Sequence, residues 1–90
     1  MDLQEFNKNQ SAFADKNVTI VAKYVGFPAS GTKFGCTTPL KFADDQGYVI
    51  DVCSNRIFDS DKYYTLKGTI KFGSEDFMGK TYSGYILQLK

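Results

Sequence analysis

The sequence predicts an all-β domain, five strands curled into a small barrel with a short helix at the N-terminus. Three observations carry this reading. Residues 34–54, FGCTTPLKFADDQGYVIDVCS, hold two apolar runs separated by Asp44-Asp45-Gln46-Gly47, the usual setting of a hairpin loop. Segments 18–27, 63–72 and 81–89 are rich in the β-branched and aromatic residues that suit strands. The chain carries eight Phe and six Tyr in ninety residues, enough apolar bulk for one modest core and no more.

The central hairpin sets the frame. A three-residue loop built on a type I turn needs its last residue at positive φ, and Gly47 accepts that without steric cost. This loop places Ile50 opposite Phe42 and Val52 opposite Leu40 on one face. On the other face it places Asp51 opposite Lys41 and Val49 opposite Ala43. A loop one residue shorter would turn Asp51 inward, because a single-residue slip reverses every side chain. Extending the same alternation puts Pro39 on the outer side. It also puts Cys36 on the Leu40 face and Cys53 on the Lys41 face, so the register predicts two free thiols.

The other elements follow in order. Residues 2–14 place Leu3, Phe6, Phe13 and Ala14 near one helical face, with Asp2 as N-cap. So short a helix is stable only when packed on something, and it is expected to plug an open end of the barrel. Segment 18–27 has Val18, Ile20, Ala22 and Tyr24 on one face, and Gly26 permits a bend or bulge. Residues 28–32 form a loop on turn chemistry. Segment 55–62, NRIFDSDK, is too short for a full helix and reads as a turn or one helical turn. In 63–72, Tyr64, Leu66, Ile70 and Phe72 share a face, with Gly68 where a crossing strand needs room. Segment 73–80, GSEDFMGK, reads as a loop, and 81–89 closes the chain with Tyr85, Leu87 and Leu89 inward. One domain over 1–90 results, divided into a helical segment, 1–16, and a barrel, 17–90.

Composition narrows function. Net charge is +1, so any basic footprint must come from the placement of lysines rather than their number. The chain has no histidine, and no nucleophile–base pair, metal-ligand spacing or phosphate loop occurs in it. The reading is therefore a non-enzyme with no cofactor and no metal site. No apolar run reaches the ~20 residues of a membrane helix, and the N-terminus has no leader pattern. With two free thiols expected, the predicted location is cytoplasmic.

The series LKFADDQGYVIDV, YTLKGTIKF and YILQL resembles the OB-fold, and more nearly its anticodon-binding and replication-protein-A type. Asp44 to Gly47 matches that family's Asp-x-x-Gly turn after strand two. Tyr64 to Ile70 matches its apolar-x-apolar-Lys-Gly-x-apolar strand four. The resemblance implies a five-stranded Greek-key barrel over roughly 17–90 that binds single-stranded nucleic acid with little sequence preference. The family's helix between strands three and four is missing here. Binding of this kind uses aromatic faces and cations beside strands two and three. Carried onto this chain, the implied binding residues are Lys23, Phe27, Lys33, Thr37, Lys41, Val49, Arg56, Phe77 and Lys80. The family's stacking aromatics are not evident on strands two and three, since Phe34 and Phe42 fall inward in this register. The alternative is a protein-interaction module on the same barrel, docking through Phe77 and Met78 of the 73–80 loop or through an exposed strand edge. For Lys67 and Lys71 a plain solvated face is the better reading, and Lys41–Asp51 reads as a cross-strand pair.

Overall fold

A computed structural model describes residues 1–27 and 32–90. The loop expected over 28–32 lies, apart from Thr32, outside the described residues. Five strands form one sheet closed into a ring: β1 (Asn17–Gly26), β2 (Pro39–Ala43), β3 (Val49–Cys53), β4 (Tyr63–Phe77) and β5 (Lys80–Leu89). Their order around the ring is β1-β2-β3-β5-β4, and β4 returns to pair with β1. Every pairing is antiparallel except β3 with β5. Among the described residues, no helix is long and apolar enough to cross a membrane.

The hairpin β2–β3 has the expected register, with Lys41 opposite Asp51, Phe42 opposite Ile50 and Leu40 opposite Val52. Gly47 takes φ +88°, and the Asp44 carboxylate accepts from the backbone N–H groups of Gln46 and Tyr48, each at 2.9 Å. Those two bonds fix the loop from within, as an Asp at this position does well. Leu40, Phe42, Ile50 and Val52 all point into the ring, where they meet Ile20, Ala22, Leu66, Ile70 and Leu87. The bulge permitted by Gly26 is present: register shifts between Tyr24 and Gly26, and Gly26 has φ +125°. Gly68 faces the backbone of Gln88 so closely that a Cβ there would strike its carbonyl.

Two plugs fill the ring. Helix α1 (Leu3–Lys8) is capped by Asp2, whose side chain accepts from the Gln4 N–H, and it buries Leu3 and Phe6. It ends at Asn9, earlier than the expected 2–14, and a 3-10 helix over Gln10–Phe13 follows. Phe13 still meets the Phe6 ring edge-on, with centroids 6.0 Å apart. The second plug is Phe58, from the segment between β3 and β4. Its ring packs against Tyr24, Phe42 and Tyr64 at centroid distances of 6.2, 5.1 and 4.9 Å. A single buried aromatic here fills the place where the resemblance led one to look for a helix.

Three expectations need correction. The segment 73–80 is not a loop. β4 runs on to Phe77, Met78 and Gly79 make a two-residue turn at φ +51° and +80°, and β5 starts at Lys80. The two cysteines are not free: Cys36 and Cys53 form a disulfide. The alternation used to separate them was carried back through Pro39, but the ladder begins at Pro39. Residues before it form their own tight turn, in which Lys33 and Cys36 exchange backbone hydrogen bonds of 2.9 and 2.8 Å. Outside a ladder, parity no longer fixes which way a side chain points. Pro39, expected to face outward, is buried.

Candidate functional site

The site is built by two turns of the same chemistry. Phe34-Gly35 and Met78-Gly79 each place both central residues at positive φ, the geometry of the tightest hairpin turns. The second turn carries β4 and β5 beyond the ring. β1 reaches only as far as Thr69 on β4, and β3 touches β5 only at Leu87 and Gln88. The rest of the hairpin projects as an arm. One face of this arm shows, from its root to its tip, the cross-strand pairs Gly73–Gly84, Glu75–Tyr82 and Phe77–Lys80.

The first of those pairs explains how the two turns meet. Two glycines directly opposite each other leave a notch in the sheet face, and the Phe34 ring lies in it. A Cβ on Gly84 would come within 2.5 Å of that ring, and a Cβ on Gly73 would strike the Phe34 carbonyl. The Phe34 N–H donates to the Glu75 carboxylate at 3.2 Å. Below, the disulfide ties the same turn to the end of β3. An open cleft of about 340 Å³ is left between turn and arm, lined by Lys33, Phe34, Glu75, Phe77, Tyr82 and Ser83. Phe77 is 56 % exposed and Met78, at the tip, 88 %. The exposed aromatic faces offer stacking surface, with the Lys33 ammonium and the Glu75 carboxylate beside them.

Lys33 links the cleft to the outer face of β2 and β3 through its pair with Asp51. Lys33 sits 3.9 Å from the Asp51 carboxylate and 5.0 Å over the Phe34 ring. Asp51 faces Lys41 across the ladder. Burial raises the Asp51 carboxyl above the usual carboxylate range, and the two lysines only partly offset this.

The expected binding residues separate into groups. Lys33 and Phe77 line the cleft, with Lys80 opposite Phe77 at the tip. Lys41 and Val49 lie on the adjoining face, and Lys23 joins them through its pairing with Ala43. Thr37 and Arg56 line a different, polar depression with Ser54, Asn55 and Gln88. There the Arg56 guanidinium stacks 5.0 Å over Phe58. Phe27 is 75 % exposed just past β1, its ring edge-on to Tyr24 and outside the cleft lining. Phe34, Glu75, Tyr82 and Ser83 were missed. Phe34 does not point into the ring as its parity suggested; only Phe42 does. The signal that leads to the missed residues is Met78-Gly79: reading it as a two-residue turn pairs Gly73 with Gly84 and exposes the notch.

Comparison with protein-family models, with curated proteins and with solved structures returned no match. Geometry and chemistry are therefore the grounds for a functional reading.

Proposed function

We propose that the chain is an OB-fold module, a Greek-key barrel, that binds single-stranded nucleic acid with little sequence preference and without catalysis. The fold half of this reading is supported by the strand order β1-β2-β3-β5-β4 with one parallel pair, β3 and β5. The function half is carried by one observation: the cleft between the 33–36 turn and the β4–β5 arm presents Phe34, Phe77 and Tyr82 beside Lys33. Aromatic stacking accepts any base, since every base has a π-face, and contributes about 1–3 kcal/mol per base. Lysines near the cleft follow the backbone, but Asp51 and Glu75 hold the local charge down, so affinity is modest. The cytoplasmic location expected earlier rested on free thiols, and the Cys36–Cys53 bond removes that premise.

The test is a titration of labelled single-stranded DNA and RNA at low and moderate salt. Binding should weaken with salt at a slope set by about two or three phosphate contacts. Phe77→Ala and Tyr82→Ala should each lower affinity for all sequences alike. Absence of binding at low salt defeats the reading.

A second reading, a protein-interaction module, is favoured by the arm itself. Among the described residues no strand covers the outer edges of 71–77 and 80–86, and Met78 stands exposed at the tip. Replacing Phe77 and Met78 with Ser should then abolish capture of a partner while nucleic-acid affinity is absent from the start.

A further inference from the structure

We infer that the Cys36–Cys53 bond is a redox-controlled clasp on the cleft, closed when oxidised and opened by a dithiol reductant. The inference rests on the nucleic-acid reading for its ligand, and on the geometry of the turn for everything else. The turn 33–36 belongs to no strand, yet it supplies Lys33 and Phe34, one whole wall of the cleft. Besides the main chain, which enters β2 through Thr37 and Thr38, a covalent cross-link joins the turn to the ring: the bond to Cys53, at the last position of β3. Non-covalent anchors also hold it: the Phe34 N–H on the Glu75 carboxylate at 3.2 Å, the Lys33–Asp51 pair at 3.9 Å, and the ring in its glycine notch. Phe34 also holds a positive φ, +50°, that a bulky side chain adopts only when its surroundings enforce it. The ring, by contrast, closes through its own ladders and a core to which the turn contributes nothing but Cys36.

Opening follows ordinary thiol–disulfide exchange. One thiolate of the reductant attacks Cys53 Sγ, the more accessible sulfur because Cys36 is buried and Cys53 half-buried. The Sγ–Sγ bond breaks and Cys36 leaves as a thiolate, which takes up a proton. The second thiol of the reductant then displaces Cys53 as a thiol, and the reductant departs as a cyclic disulfide. The Thr38 hydroxyl lies 3.9 Å from Cys36 Sγ and 4.0 Å from Cys53 Sγ, so it can donate to the departing thiolate. A low-molecular-weight disulfide runs the sequence backwards.

The experiment compares oxidised protein, protein reduced with dithiothreitol, and a Cys36→Ser/Cys53→Ser variant. Each is titrated with fluorescein-labelled oligothymidylate at low salt. Amide hydrogen exchange of Phe34 and the circular dichroism of the sheet are followed in parallel. The expected result is an affinity loss of about tenfold on reduction, as the binding-competent fraction falls to about a tenth. The serine variant should match the reduced protein. Exchange at the Phe34 amide should rise while the sheet signal holds. Phe34→Ala should weaken the oxidised protein and make it insensitive to reductant, since the two changes remove the same wall. Phe34 exchange unmoved by reduction overturns the clasp, and so does unchanged affinity where the oxidised protein binds. So does loss of the sheet signal on reduction, because the bond would then hold the fold rather than the cleft. If oxidised protein fails to bind while Phe34 exchange still responds to reductant, the nucleic-acid reading falls and the clasp stands.

Discussion

Phe34 and Met78 are bulky residues at positive φ, +50° and +51°, each preceding a glycine in a two-residue turn. Such a conformation costs an L-residue roughly 1–2 kcal/mol, and Asn-Gly is the sequence these turns prefer. Met78→Asn is therefore expected to raise stability by about 0.5–1 kcal/mol in a urea melt. Gly84→Ala acts in the opposite direction. The new methyl group meets the Phe34 ring at 2.5 Å, so the ring must leave its notch. Because the atoms displaced are the tip of a partly exposed side chain, the cost should stay below about 1 kcal/mol, while hydrogen exchange at the Phe34 amide should quicken. Asp51 gives a third prediction. Its carboxyl is raised by burial, so between the ordinary and the raised value the folded chain binds more protons than the unfolded one. Stability contributed by Asp51 is thus present at low pH and falls as pH rises through that window. Asp51→Asn should remove this fall, and its melting temperature relative to the native chain should climb over the same interval. A difference that stays flat with pH would show that the lysines fully compensate the burial.

Helix α1 and the arm show how differently two elements can be written in one sequence. The helix was legible because its signals are local: a capping Asp2 and an apolar stripe through Leu3 and Phe6. It stops at Asn9, short of the stripe's end, and a 3-10 helix delivers Phe13 instead. Phe6 is among the most completely buried side chains, so Phe6→Ala should cost about 3–5 kcal/mol, measured by denaturant unfolding. Asp2→Ala should cost only about 1 kcal/mol, the usual loss for an N-cap. The arm was illegible for a complementary reason. Once β4 and β5 leave the ring they pack no face on the core, and Gly73-Ser74-Glu75-Asp76 shows no alternation of apolar and polar residues. The disulfide was hidden by a related limit. Side-chain parity holds only within the ladder, and the chain between Cys36 and Pro39 lies outside it. The hairpin β2–β3, by contrast, could be read to the residue, because its turn chemistry, cross-strand charges and core pattern all require the same register.

At the scale of the whole molecule, a small closed sheet with two plugs supports one projecting arm and one turn stapled against it. With a net charge of +1 the chain lacks the broad positive field of strong nucleic-acid binders, so the proposed binding would have to draw on stacking in the cleft. Lys23, Lys41 and Val49 offer a path away from that cleft along the outer face, whereas Thr37 and Arg56 line a separate depression. The location of the site is the claim that most needs testing, and amide chemical-shift mapping with oligothymidylate at low salt tests it directly. Perturbed amides should cluster at residues 33–36 and 75–83, with smaller shifts along the outer face of β2 and β3. Shifts confined to the Thr37–Arg56 depression, or none at all at saturating oligonucleotide, would contradict the account.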